Sequence, residues 1–433
     1  MNEPWPADVR DVVAVRRDLH AHPEPGFTEI RTAARVVTAL TGLGWTVRAG
    51  RAACPVDDVA GLPGRDELDA AAERAGHEGV PEDLVRRLSG GHTAVIADLT
   101  GNRPGPSVAL RHDMDALPIA EVTHAGHRPH DLGFASRHPG VMHACGHDGH
   151  VAIGLALAAA LSDRDFPGRV RLIFQPAEEG VRGAAPLVAA GTCAGVDALL
   201  AVHLAFGLPS GMVAAAATEL HATTKTRVRF TGRAAHAAKA PDQGRNALLA
   251  AATAALNLHA LPRFAGAATR VNVGRLVAGT AANIVAADAE LLVETRADHA
   301  GAAAELARRA DAVVTAAAAM HEVAVTSVTT GRATASPTDA AVADAVGAAA
   351  RHVPGLGVRA THPLGASDDA SLLMDDVRER GGVAGYAILG SDSPGPPHAP
   401  DFDIDESVLP DGVRLLERLV RDGALAGGTE GDG

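Results

Sequence analysis

Apolar positions recur at helical spacing between residues 11 and 43: Val12, Val15 and Leu19, then Ala33, Val36, Val37 and Leu40. The run is broken once, by the turn His22-Pro23-Glu24-Pro25-Gly26. Further on the period changes. Residues 108–111, 170–174 and 198–203 are short unbroken apolar stretches, the pattern of strands buried on both faces, and helical segments such as 151–161 separate them. Such alternation predicts an α/β fold, a mainly parallel mixed sheet flanked by helices.

Between 223 and 332 the order differs: a strand at 227–231, a helix at 246–261, strands at 270–276 and 286–294, a helix at 302–320 and a strand at 323–329. This β-α-β-β-α-β order is ferredoxin-like and is expected to form a smaller α+β domain inserted into the first. The main domain would then comprise residues 1–222 and 333–433, its last strand near 382–389. A chain of 433 residues exceeds what one growing core accommodates, which agrees with two domains. Residues 51–92 form a charged, Ala-rich excursion with helical stretches near 66–75 and 81–88, and no chemistry attaches to them. The Gly-rich end, 423–433, is expected to fray.

Composition narrows the function. Aromatics are only 3% of the chain, so the 47% of hydrophobic residues must build a core of Ala, Val and Leu. A formal charge of -13, with no basic run to offset it, argues against nucleic acid as a partner. The first residues lack the basic start and apolar stretch of a secretory signal, and no apolar run approaches the ~20 residues of a membrane span. Three unevenly spaced cysteines, Cys54, Cys145 and Cys193, do not make a disulfide framework, so a cytoplasmic, reducing location is expected.

Candidate chemistry gathers at strand ends. His143-Ala144-Cys145-Gly146-His147-Asp148-Gly149-His150 offers a thiol and imidazoles at the start of a helix, donors that suit zinc. Glu178 and Glu179 follow the strand at 170–174; one carboxylate can hold a metal while its neighbour takes a proton from water. Asp113 and Asp115 follow the strand at 108–111, and Asp115 suits a supporting carboxylate. His203 closes another strand, and His398 follows the one at 382–389. Each feature alone also fits ordinary structure: histidines capping a helix, a solvated Glu pair, an Asp-rich turn, a hydrogen-bonded loop histidine. Their coincidence is the argument, since open α/β sheets bind ligands at the C-terminal ends of their strands.

The order Arg16-Arg17-Asp18-Leu19-His20-Ala21-His22-Pro23, Asp113-x-Asp115-Ala116-Leu117-Pro118, His143 to Asp148, Gln175-Pro176-Ala177-Glu178-Glu179-Gly180, His203 and His398-x-x-x-Phe402-Asp403 resembles the amidohydrolase branch of the aminoacylase and carboxypeptidase G metallopeptidases, nearly end to end. Within it, Phe134-Ala135-Ser136, Thr224-Lys225, residues 232–237 and 244–251, Val293-Glu294-Thr295-Arg296 and Ala366-Ser367-Asp368-Asp369-Ala370 look most like the A-type subunits of aminobenzoyl-glutamate hydrolases. The resemblance implies a zinc-peptidase-like catalytic domain with a lid and dimerisation insert, and two divalent metal ions per subunit, zinc or manganese. It implies Cys145, His147, Glu179, His203 and His398 as ligands, Glu178 as general base and Asp115 as support. His236 would reach an active site across a dimer interface, and Asn283 with Arg296 would grip a substrate carboxylate. The implied reaction is hydrolysis of the amide of an N-acylated amino acid, p-aminobenzoyl-glutamate among them. A hippurate-like or indole-acyl amino acid hydrolase, or a non-catalytic partner subunit, are the competing readings, and the implied assembly is a homodimer or a heterodimer with a related subunit. Where relatives often carry a His pair, this chain has Pro397-His398.

Overall fold

The computed structural model describes residues 8–56 and 59–426. The extreme N-terminus, and residues 427–433 of the Gly-rich end expected to fray, lie outside the described residues. Among the described residues, twelve strands form two sheets. β1 (Thr46–Ala49), β2 (Val95–Thr100), β3 (Arg103–Asp113), β4 (Pro167–Gln175), β5 (Ala198–Leu204), β6 (Met212–Leu220), β11 (Gly357–Ala366) and β12 (Val383–Leu389) make the larger, ordered β1-β2-β4-β3-β5-β12-β6-β11. β7 (Ala222–Thr231), β8 (Thr269–Ala278), β9 (Asp288–Ala297) and β10 (Ala324–Ala333) make the smaller, ordered β10-β7-β9-β8 and antiparallel throughout.

The large sheet reads as unbroken apolar sequence because both of its faces are covered. Val108, Leu110, Val170, Leu172 and Leu200 enter one core; Ala109, Ile173, Leu199 and Ala201, one residue out of step, enter the other. Four of its seven neighbouring pairs are parallel. The central strands β4, β3, β5 and β12 all run the same way, so Asp113, Gln175, His203 and Leu389 emerge at one edge. The helix His147–Ala160 starts beside that edge, after Gly146, whose φ of 90° suits a residue without Cβ.

β1, β2, β6 and β11 were not singled out by periodicity. β6 is rich in alanine, which carries no strand signal of its own; it becomes a strand because β12 and β11 flank it. The helices of the 51–92 excursion, Arg65–His77 and Glu82–Leu88, bury Ala71, Ala75 and Leu88 against the main core. Cys54, Cys145 and Cys193 are free and buried. Among the described residues, no helix is long and apolar enough to cross a membrane.

The excursion is clamped by Glu78, whose Oε1 lies 2.6 Å from His138 Nε2. Burial opposes the charge on both groups, yet their mutual bond wins: His138 is held above its ordinary 6.5 and Glu78 below its ordinary 4.5. The raised histidine stabilises fully below 6.5 and loses that contribution as pH rises through its folded value, while the lowered carboxyl contributes above 4.5 and loses it on acidification. Hydrogen exchange across residues 65–88 should therefore be best protected between these two values. Protection, corrected for intrinsic exchange, should weaken above 6.5 in the wild type and lose that pH dependence in His138→Gln.

Candidate metal centre

Asp115 organises the site from below. Its two carboxylate oxygens accept the backbone N–H groups of Glu178 (3.0 Å) and Glu179 (2.8 Å), and its carbonyl accepts Nδ1 of His147 at 2.8 Å. A carbonyl only accepts, so Nδ1 of His147 carries a proton, and its buried Nε2, 3.5 Å from Asp113 and 4.0 Å from Glu178, has no hydrogen-bond partner. The same logic sets His203: Nδ1 donates to the Leu204 carbonyl at 2.9 Å, and Nε2 stands 3.7 Å from Cys145 Sγ.

The carboxylate loop is held under strain. Ala177 (φ 51°) and Val181 (φ 55°) bracket Glu178 and Glu179 in the left-handed region, which a β-branched residue such as Val181 rarely enters. Buried Glu29 accepts the Ala177 N–H at 2.8 Å and the Thr93 hydroxyl at 2.6 Å, and so pins one end of the loop. At the other end a Cβ on Gly331, at the end of the small sheet, would lie 2.2 Å from the Gly180 carbonyl oxygen, and the Arg332 N–H donates to Val181 O at 2.8 Å. His398, also left-handed at φ 69°, donates its N–H to Ala144 O at 2.7 Å, and its Nε2 lies 3.4 Å from Glu179 Oε1.

These constraints bring the sequence candidates together. Cys145, Glu179 and His398 place one ligand atom each within 4.8 Å of one another, and so do His147, Glu178 and Glu179. Glu179 belongs to both sets, the arrangement two neighbouring cations would share. The residues fit such ions on their own evidence: His147 Nε2 and Glu179 Oε1 are buried without a hydrogen-bond partner, an expensive state unless a cation faces them. Burial also pushes the Cys145 thiol well up, so that only a close cation would make it a thiolate.

Two further clusters of the same residue types are of another kind. His150 lies close to Asp113, His147 and His203, but it has no lone pair to give. Its Nε2 accepts the Leu204 N–H at 3.0 Å, which leaves Nδ1 to donate to Asp113. Glu178, Asp368 and Asp369 also cluster, around a cation the chain itself supplies. Arg111, 2% exposed, reaches Asp113 at 2.5 Å, Asp368 at 2.9 Å and Asp369 at 3.5 Å. Tyr386 donates to Asp368 (2.7 Å), and Gln175 and the Ala184 N–H donate to Asp369 (2.6 and 2.8 Å). Burial, then the nearby carboxylates Asp368 and Glu179, push Glu178 well above the ordinary carboxyl range. Arg111, Asp113, His150, Asp368, Asp369 and Tyr386 were not among the members of the site expected from sequence. All but Tyr386 lie inside or beside motifs named above, and only the fold reveals their partners.

A cleft of about 440 Å³ opens over the candidate ligands. One wall carries Cys145, Glu178, Glu179, His203 and His398; the other is the small sheet, which contributes Thr223, Lys225 and Arg296. His236 and Asn283 do not line it. They sit together on an exposed part of the small unit, where the Ala237 N–H donates to Asn283 O at 3.0 Å and His236 pairs with Ile284.

A family model described as peptidase family M20/M25/M40 matches residues 109–422. The chain is 44% identical to an indole-3-acetyl-aspartic acid hydrolase of Enterobacter agglomerans, over 93% of both chains. It is 42% identical to the A-type component of p-aminobenzoyl-glutamate hydrolase from Escherichia coli (strain K12), over 94% of both. Among solved structures, an aminobenzoyl-glutamate utilization protein from Klebsiella pneumoniae superposes with a TM-score of 0.81 at 40% identity, covering 95% of each chain.

Replacing Arg111 by Met would strand three buried carboxylates without their cation. Urea denaturation should show a loss of about 3–5 kcal/mol, the cost of breaking a buried ion pair from one side.

Proposed function

The chain belongs to peptidase family M20/M25/M40, and from that premise we propose that it is a metal-dependent amidohydrolase that cleaves the amide bond of an N-acylated amino acid. The observation that carries the reading is the meeting of Cys145, His147, Glu178, Glu179 and His398 at one strand edge, with His147 Nε2 and Glu179 Oε1 buried and without a hydrogen-bond partner. The relatives named for indole-3-acetyl-aspartic acid and p-aminobenzoyl-glutamate support an aryl-bearing acyl group on an amino acid, p-aminobenzoyl-glutamate being one such substrate.

In this reading Cys145, His147, Glu179, His203 and His398 hold two divalent ions, zinc or manganese. When bound, those ions polarise the scissile carbonyl and acidify the attacking water. Asp115 fixes the His147 tautomer and the direction of the carboxylate loop. Glu178 takes the proton from water and passes it to the departing amine. Arg296 grips the substrate carboxylate, and Asn283, which stands away from this chain's own cleft beside His236, joins it from a second chain. His236 meets the developing oxyanion from a second chain. The small unit, residues 223–332 inserted between catalytic segments 1–222 and 333–433, serves as lid and dimerisation domain. Its edge strand β8 and its exposed Leu248, Leu249, Leu256, Leu276 and Val277 support pairing with a copy or a related subunit. The three free thiols suit a cytoplasmic setting.

Release of free amino acid from a panel of N-acyl and aminobenzoyl amino acids, with chelator and with added zinc or manganese, tests the reading. Activity should vanish with chelator and return with one of the metals. Glu178→Gln should lower kcat by about a hundredfold or more while elemental analysis finds the metal retained. Cys145→Ala and His147→Ala should instead reduce bound metal.

A further inference from the structure

We infer that Lys225 reads a second carboxylate on the substrate, so that the amino acid released has an acidic side chain; this rests on the amide-hydrolase reading above. In β7 the even-numbered Val228 and Phe230 pack under the helices of the small unit, with Leu291 and Ala289 opposite them on β9. The odd-numbered residues therefore face the other way. Thr223 stands opposite Arg296 and Lys225 opposite Glu294, and Thr223, Lys225 and Arg296 line the cleft across from the candidate ligands.

The charges on this face pair off except at one position. Glu290 serves Arg227, Arg229 and Arg275. Glu294 is taken by Arg296, through Nε and Nη2 at 3.0 Å each. That leaves the other edge of the guanidinium fork open toward a carboxylate. No described carboxylate lies within ion-pair distance of the Lys225 ammonium, although the side chain is half-buried at the cleft. On its β10 side Lys225 pairs with Gly331, which seats the loop of Glu178 and Glu179 beside this strand. A cation that lines the cleft without an ion-pair partner in the chain pairs well with an anion that arrives with the substrate.

Residue choice points the same way. Only two of the 39 basic residues are lysine, Lys225 and Lys239, so arginine serves nearly every other cationic position. A rigid arginine fork suits a carboxylate fixed next to the scissile amide. A lysine on a flexible stem suits one at the end of a one- or two-methylene arm, whose position varies. The cleft thus offers two cations at one wall, Arg296 for the carboxylate beside the amide and Lys225 for the side-chain carboxylate.

The test uses p-aminobenzoyl-glutamate and p-aminobenzoyl-glutamine, which differ only in the charge of the side chain, with metal-loaded protein. Wild type should favour the glutamate conjugate in kcat/KM by about tenfold to a hundredfold, the value of one charge-assisted pair. Lys225→Met should bring the ratio close to one, and Lys225→Arg, which keeps the charge, should restore most of it. Equal hydrolysis of both substrates by wild type, or an equal fractional loss on both in Lys225→Met, would overturn the role of Lys225 and leave the amide-hydrolase reading standing. Failure of fully metal-loaded wild type to release amino acid from either conjugate or from other N-acyl amino acids would overturn both.

Discussion

Arg111 is the interaction on which the site depends. Asp113, Asp368 and Asp369 are buried beside Glu178, and carboxylates that close cannot all stay ionised without a cation between them. Arg111 supplies it, and burial with this company still leaves Asp369 pushed up to about 7. Such a nest is a poor source of net stability, because the desolvation of four ions consumes most of their attraction. Its value is positional: with Arg111, Gln175 and Tyr386 in place, the acids face away from the cleft or into it by design of hydrogen bonds rather than by repulsion.

A second layer of constraint converts that electrostatic frame into geometry. The parallel central strands deliver Asp113, the carboxylate loop and His203 to one edge, and Asp115 ties the loop to His147 through three hydrogen bonds. The left-handed Ala177, Val181 and His398 show that the chain accepts backbone strain where ligand atoms must converge, and Glu29 and the Ala144 carbonyl hold that strain in place.

Asp115, Glu178, Glu179, His203 and His398 were legible as metal-competent because each follows a strand whose apolar run is visible in the chain, and the central parallel strands send those ends to one side, where the helix opened by Cys145 and His147 also starts. The β-α-β-β-α-β order was legible for a similar reason, since periods of 2 and 3.6 alternate clearly there. Other parts depend on contacts no local pattern encodes. Arg111 meets Asp368 across 257 positions, and His150 is disqualified as a ligand only by the Leu204 N–H it accepts. β6 is an alanine tract that sheet neighbours, not propensity, make into a strand. His236 and Asn283 were placed by resemblance alone, and within one chain they stand exposed, away from the cleft.

The contact of Gly331 with Gly180 makes two distant stretches of sequence a single mechanical part. No side chain fits between the end of β10 and the loop that carries Glu178 and Glu179, and the Arg332 N–H fastens them. A small sheet put in place of this one would therefore have to meet residues 176–182 with the same close backbone seat. The small sheet and that loop are thus constrained as one piece.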